Sequence, residues 1–125
     1  MSDQPRAIGV HVYAGGFTVG VSRQFEVRAQ LEELNLGYKT AELNFPGLDH
    51  PRTRDRWYST LSVYADEVDL VFGNPPCAPW SMASRGGGGE NAHTVSHGAS
   101  DPRLAYTQTV HETGLKLAPT GAFIL

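Results

Sequence analysis

A single cysteine, Cys77, stands directly after two prolines in the stretch "LVFGNPPCAPWS", residues 70–81. A cysteine thiolate is a strong nucleophile, and a rigidly held nucleophile needs less ordering before it attacks. Pro75 and Pro76 fix their own φ angles, and each restricts the residue before it. The apolar run that precedes them predicts a buried strand, so the thiol is expected on a stiff turn where that strand ends. The alternative is that Cys77 is a small buried residue without chemistry.

Strands and helices are predicted to alternate along the chain. Apolar or alternating segments predict strands at residues 7–13, 25–32, 68–73 and 121–125. Helices are predicted within 16–24, within 33–45, around 57–68 and from 101 to about 117. The last of these begins with an aspartate as N-cap and a proline at the first helical position, Asp101 and Pro102.

Apolar spacing predicts which faces of these elements are buried. The second strand should carry four apolar residues on one face, namely Phe25, Val27, Ala29 and Leu31. The third helix should bury Trp57, Leu61, Tyr64 and Val68. The last helix should bury Tyr106, Val110, Thr113 and Leu117.

This alternation predicts an α/β fold with a doubly wound, mostly parallel sheet that is covered on both faces. Such sheets bind ligands beyond the carboxyl ends of their strands. Three features are predicted at such ends: the Gly15-Gly16 turn, Glu32, and the turn at residues 74–77. The sequence therefore predicts one ligand site to which all three contribute, although Glu32 could instead be a carboxylate at a helix N-terminus.

Composition limits the classes of protein that remain. A length of 125 residues fits one domain, and one cysteine excludes an internal disulfide and a cysteine-based zinc site. No apolar run approaches the about 18 residues of a membrane span, and the first residues are too polar for a signal peptide. We therefore expect a cytoplasmic protein. The net charge of −3 argues mildly against a free-standing nucleic-acid binder.

Two further groups of residues have a plainer interpretation. Arg52, Arg54 and Arg56 alternate in "HPRTRDRW", which favours a solvated loop over contact with phosphates. His93 and His97 have a spacing that could bind a metal on a helix, but they lie in a glycine-rich stretch. We therefore predict no metal site, and we expect residues 82–100 to form a mobile loop.

The order of these features resembles the DNA (cytosine-5) methyltransferases over residues 8–125. In "HVYAGGFTVG", residues 11–20, the glycine turn resembles the family segment that holds S-adenosylmethionine. "FEVRAQLE" is similar to the family's second strand, and "LNFPG" at 43–47 resembles the segment that follows. The resemblance implies cofactor contacts from Tyr13, Gly15, Gly16, Phe17 and Glu32, with Glu32 on the ribose hydroxyls.

The Pro-Pro-Cys turn resembles the family's catalytic turn. The resemblance implies that Cys77 adds to C6 of a cytosine flipped out of DNA, so that C5 can take the methyl group. The residues implied in the substrate turn are Asn74, Pro75, Pro76 and Ser81. Asp-Pro-Arg at 101–103 follows the turn after a loop, as in many family members. The implied fold is the Rossmann-like methyltransferase fold.

The sequence departs from the family pattern in three ways that leave alternatives open. The glycine turn in "YAGGF" is two residues shorter than in many family members. Asn74 precedes the prolines where the family usually has glycine, so the turn also resembles that of amino-methyltransferases acting on adenine N6 or cytosine N4. The family's Glu-Asn-Val motif is absent after "GAFIL" at 121–125. We therefore expect residues 1–125 to be a truncated catalytic domain without a target-recognition domain, inactive alone and completed by further residues or a second chain. A non-catalytic remnant of the same scaffold is the third interpretation.

Overall fold

The computed structural model describes residues 4–65, 67–75, 104–117 and 122–124. Four strands and four helices alternate in these residues. In chain order they are β1 Arg6–Val10, α1 Gly16–Val21, β2 Glu26–Leu31, α2 Tyr38–Asn44, α3 Arg54–Tyr64, β3 Leu70–Gly73, α4 Leu104–Leu117 and β4 Ala122–Ile124. The strands form one sheet in the order β2-β1-β3-β4, and every pairing is parallel. The prediction of an α/β fold with a parallel sheet is confirmed.

A fifth extended segment continues the sheet beyond β2. Asp49 forms an isolated parallel bridge with Ala29. The amide of Gln30 donates to the Asp49 carbonyl at 2.9 Å, and the amide of Glu32 donates to the Pro51 carbonyl at 3.2 Å. Residues 49–51 therefore run along the outer side of β2, and the chain order reverses between β1 and β3. In open parallel sheets, such a reversal leaves a crevice at the carboxyl ends of the strands.

Two apolar clusters lie on opposite faces of the sheet. Helices α3 and α4 cover the first cluster, which contains Ile8, Val10, Ala29, Leu31, Trp57, Tyr64, Val68, Val71 and Val110. The second cluster is smaller and contains Ala7, Val12, Val27, Leu70 and Phe72. Full burial of a side chain the size of Phe72 contributes roughly 1.5–3 kcal/mol, so both clusters stabilise the sheet.

A β-bulge in β2 changes which residues share a face. Ala7 pairs with Val27 but Ile8 pairs with Ala29, so Arg28 has no partner on β1. An unpaired residue of this kind reverses the alternation of side chains that follow it. The prediction that Phe25, Val27, Ala29 and Leu31 share one face is therefore wrong. Phe25 and Val27 pack in the second cluster, whereas Ala29 and Leu31 pack in the first.

Several element boundaries differ from the sequence prediction. Strand β1 ends at Val10 because the next residue, His11, has a left-handed φ of 54°. Helix α2 begins only at Tyr38, after Gly37 with a φ of 76°. Helix α3 ends at Tyr64, so Val68 is buried in the first cluster without belonging to the helix.

The faces predicted for the long helices agree with the structure where it describes their side chains, except that Val68 lies beyond the end of α3. Trp57 and Tyr64 are buried, and Leu61 packs against the same cluster. On α4, Val110 and Thr113 are buried. The predicted cap at residues 101–102 and the loop at 82–100 lie outside the described residues. Within the part that is described, no helix is long and apolar enough to cross a membrane.

Candidate functional site at the strand ends

Glu32 follows β2 directly, and its carboxylate binds the segment that follows β1. Its Oε1 accepts from the amide of Tyr13 at 3.2 Å. Its Oε2 accepts from the amides of Glu33 at 3.2 Å and Leu34 at 3.3 Å, and lies 2.7 Å from His11 Nδ1. Oε2 therefore faces three donors, whereas Oε1 faces one among the described residues. Oε1 therefore keeps an acceptor position for a further donor, such as a hydroxyl group.

His11 is fully buried beside this carboxylate, and the sequence prediction did not include it. Its ring lies 5.5 Å from that of Trp57 and 5.2 Å from that of Tyr106, which it meets edge to face. Its Nε2 has no hydrogen-bond partner among the residues that the structure describes. The one signal in the sequence is a polar residue at the end of an apolar run, just before a glycine turn.

Arg54 fixes the residue that follows Glu32. Its Nε and Nη2 donate to the two carboxylate oxygens of Glu33 at 2.9 and 2.7 Å. Nη2 also donates to the Thr109 hydroxyl at 3.2 Å, and the guanidinium lies over the Trp57 ring at 4.5 Å. This one side chain therefore ties together the end of β2, α3 and α4.

Arg52 holds the same segment from the other side. Its Nη1 donates to the Glu32 carbonyl and its Nη2 to Asn35 Oδ1, both at 3.0 Å. Its guanidinium stacks on the Tyr38 ring at 4.0 Å. The prediction of a solvated loop holds in part. Arg52 lies before α3 and is half-buried, whereas Arg54 begins α3 and stays exposed although it donates within the protein. The third arginine of the series, Arg56, is exposed on α3.

The residues predicted to bind the cofactor around the glycine turn lie in two different regions of the structure. Gly15 has a φ of 97°, and a Cβ there would lie 2.5 Å from the Phe45 ring, so a side chain is excluded. Gly16 and Phe17 line an apolar groove of about 580 Å³ on the face of the second cluster. Tyr13 instead lies with Glu32 at the strand ends. The structure thus brings Tyr13 and Glu32 together, whereas Gly16 and Phe17 line a different surface.

The end of β3 lies beside the end of β1. The amide of Asn74 donates to the Val10 carbonyl at 3.3 Å. A Cβ on Gly73 would lie 2.7 Å from the Val110 side chain, which explains the glycine before the turn. Asn74 and Pro75, the first two residues of the turn predicted to bind a substrate, therefore lie at the predicted edge of the sheet. The other predicted members, Pro76, Cys77 and Ser81, lie outside the described residues, as do His93 and His97.

The space and the acceptor atoms around Glu32 can be compared with what S-adenosylmethionine would need. The small cavity lined by Tyr13, Glu32, Tyr38 and Arg52 holds about 10 Å³, which suits one water molecule. A ligand of the size of S-adenosylmethionine needs a cleft of roughly 300 Å³ or more, so it does not fit there. The free acceptor position on Glu32 Oε1 does fit a ribose hydroxyl. The chemistry of the Glu32 carboxylate therefore suits a ribose hydroxyl of this cofactor.

The described residues hold no group of three or more His, Cys, Asp or Glu that could bind a metal ion. No known family model matches this chain, and no curated protein matches it either. Fold and site together define a parallel α/β protein with a candidate ligand site where its central strands end. Its function is therefore argued from this geometry and from the motifs in its sequence.

Proposed function

We propose that this chain is the cofactor- and nucleophile-bearing part of an S-adenosylmethionine-dependent DNA (cytosine-5) methyltransferase. One observation carries the proposal: the ends of three parallel strands meet at one edge of the sheet. The Glu32 carboxylate bonds to the Tyr13 amide, and the Asn74 amide bonds to the Val10 carbonyl. The acid assigned to the ribose and the start of the Pro-Pro-Cys turn therefore flank the same segment after β1.

The order of the strands supports the proposal that this parallel α/β fold is the Rossmann-like methyltransferase fold. With residues 49–51 included, the parallel segments follow the spatial order of a doubly wound sheet, with the reversal between β1 and β3. Ligands of doubly wound sheets bind at that reversal. Glu32 and Asn74 lie on either side of it, as cofactor and substrate sites require.

Each residue has a defined role in the proposal. Glu32 accepts hydrogen bonds from ribose hydroxyls, while Tyr13 and the Gly15 turn border the cofactor. S-adenosylmethionine, when bound, supplies the methyl group. Cys77 adds as a thiolate to C6 of the flipped cytosine, which makes C5 nucleophilic, and is eliminated when C5 loses its proton. Because a free cysteine has a pKa of about 8.5, the turn must also stabilise the thiolate.

The proposal covers cofactor binding and adduct formation on DNA, in a cytoplasmic protein. It does not extend to turnover by this chain alone, because the sequence holds no Glu-Asn-Val motif to contact cytosine N3. A positioned acid typically contributes about 10²–10⁴-fold in rate. A partner or further residues would supply that acid.

Asn74 favours a second candidate, an amino-methyltransferase. Its backbone is fixed beside β1 while its side chain is exposed. An exposed side-chain amide at this position can bind the exocyclic amine of adenine or cytosine. A reaction at such an amine has no use for a thiol, so replacing Cys77 separates the two candidates.

Calorimetric titration with S-adenosylmethionine and trapping on 5-fluorocytosine DNA test the proposal. We expect the wild type and the control Glu112→Ala, an exposed carboxylate on α4, to bind the cofactor alike. Glu32→Ala should bind at least tenfold more weakly. The fluorine blocks the final elimination after methyl transfer, so in the presence of S-adenosylmethionine the enzyme completed by the N3-contacting acid should form a covalent adduct, and its Cys77→Ser variant should not. Equal trapping by Cys77→Ser, or equal affinity of Glu32→Ala, would contradict the proposal.

A further inference from the structure

A buried histidine is paired with the carboxylate that we assign to the ligand. His11 Nδ1 lies 2.7 Å from Glu32 Oε2, and the two side chains are 0% and 6% exposed. The residues belong to neighbouring strand ends, since His11 follows β1 and Glu32 follows β2. The pair therefore links the two segments that border the candidate site.

The hydrogen bonds around Glu32 indicate which atom donates in its contact with His11. Its carboxylate accepts from three backbone amides, those of Tyr13, Glu33 and Leu34. An accepting carboxylate requires a donor at His11 Nδ1, so we assign a proton to Nδ1. Nε2 lies buried without a hydrogen-bond partner among the described residues.

The surroundings hold the imidazole in one orientation. The rings of Trp57 and Tyr106 lie at 5.5 and 5.2 Å. Trp57 is itself fixed, because its indole N–H donates to the Pro51 carbonyl at 3.1 Å. An aromatic contact on α3 and another on α4 therefore limit rotation of the histidine ring.

The backbone of His11 is strained where this pair forms. Its φ is 54°, which places a residue with a side chain in the left-handed region. Strained backbone of this kind clusters at functional sites, where the surrounding structure maintains it. A buried nitrogen without a partner is a second unfavourable feature of the same residue. Two unfavourable features at one residue, one in its backbone and one in its side chain, indicate a role beyond packing.

We propose that His11 is a positioning residue that holds the Glu32 carboxylate for a ligand with vicinal hydroxyls, such as a nucleoside. Its Nδ1–H engages Oε2, and Oε1 is thereby left to accept from the ligand. This inference rests on the proposed function, because it takes the partner of Glu32 to be a ribose. In this inference His11 orients the Glu32 carboxylate, a role that is not assigned to the glycine turn or to the Pro-Pro-Cys turn.

Nuclear magnetic resonance of the imidazole protons tests the pair itself, without any ligand. We expect one strongly downfield, slowly exchanging Nδ1 proton in the wild type. It should be lost in His11→Asn and shifted upfield in Glu32→Gln, and it should persist in His111→Asn on the exposed side of α4. If no such proton is seen, or if Glu32→Gln leaves it unchanged, the assigned hydrogen bond is wrong and the proposal fails.

Affinity for S-adenosylmethionine tests the positioning role. His11→Phe removes the donor and should weaken binding about tenfold or more, whereas His11→Asn keeps an N–H near the Nδ1 position and should recover most of the affinity. Val71→Ala opens a cavity in the core away from Glu32 and should leave the affinity unchanged. Equal losses in both His11 variants, or a comparable loss in Val71→Ala, would show a structural role only.

The same titrations with adenosine separate this inference from the proposed function. If the wild type binds adenosine but not S-adenosylmethionine, the methyltransferase proposal fails, and the His11 series measured with adenosine still decides the positioning role. If neither probe binds to the wild type, both proposals are overturned.

Discussion

Gly37 and Ala14 pack backbone against backbone: a Cβ on Gly37 would lie 2.6 Å from the Ala14 nitrogen. This contact sets the loop after Glu32 directly on the turn that follows β1. The φ of Gly37 is 76°, a conformation that other residues seldom adopt. The two segments that form the candidate site are therefore joined by contacts of the main chain as well as by Glu32.

Replacing Gly37 by alanine should destabilise the protein. The new Cβ meets main-chain atoms that cannot move aside, and the left-handed conformation alone costs about 1–2 kcal/mol for an L-residue. We expect the free energy of unfolding in urea to fall by at least that amount. Gly20→Ala is the matched control, because it lies within α1 with open space around its Cβ. It should raise stability by up to about 1 kcal/mol, and a similar loss in both variants would contradict the explanation.

The pair formed by Arg54 and Glu33 should show measurable coupling. The two parallel hydrogen bonds give it a favourable geometry, but the arginine side chain is 44% exposed, which limits the gain. A double-mutant cycle with alanine should give a coupling energy of about 0.5–1 kcal/mol. The single contact between Arg6 and Glu67 at 3.2 Å is the comparison, and its coupling should be closer to zero. Equal couplings would show that the paired geometry adds nothing.

Tyr64 should make stability depend on pH in the alkaline range. Burial raises the pKa of its hydroxyl above the ordinary value of about 10, and the hydrogen bond that it donates to Asp49 at 2.6 Å adds to the effect. Since the pKa is raised in the folded protein, this contribution is complete below about pH 10 and is lost as the pH rises through the folded-state pKa.

The measurement is the difference in unfolding free energy between the wild type and Tyr64→Phe, followed from neutral to alkaline pH. We expect the difference to shrink above about pH 10. Tyr58→Phe, at an exposed position on α3, is the control for the loss of a tyrosine hydroxyl. A constant difference for Tyr64→Phe would show that its hydroxyl titrates normally.

Phe72 should be among the most costly side chains to remove. It is fully buried in the second cluster, and its ring lies where a Cβ on Gly9 would come within 2.9 Å. Phe72→Ala should lower the free energy of unfolding by about 3–5 kcal/mol. Leu43→Ala, at a position that is 82% exposed, should change it by less than about 0.5 kcal/mol. A small loss at Phe72 would mean that the second cluster is loosely packed.

Local signals in the sequence predict most of the fold. The apolar run before Asn74 and the alternation before Glu32 both mark strands, because a buried strand leaves its period in its own residues. The glycine turn after β1 is visible for the same reason, since only glycine readily takes the φ of 97° found at Gly15. The placement of Glu32 and Asn74 at strand ends then follows from the parallel sheet.

The features that the sequence did not predict depend on residues far apart in the chain. His11 sits between Val10 and Val12 and therefore has the pattern of a strand residue, yet its partner is Glu32, 21 residues later. The roles of Arg52 and Arg54 likewise depend on carboxyl, amide and carbonyl groups beyond the end of β2. No periodicity records such pairings, because they arise only when the sheet has formed.

The bulge at Arg28 also affects how the candidate acid is matched between proteins. Because Arg28 is an extra residue, Glu32 lies one position later in the chain than it would after a regular strand that ends at the same point of the sheet. An ungapped match to a regular strand that is correct at Val27 would place every residue from Ala29 onward one position out of phase. It would then pair Glu32 with a residue beyond the end of the other strand. A one-residue insertion at Arg28 restores the correspondence, so β2 is recognised only by a comparison that allows a gap inside a strand.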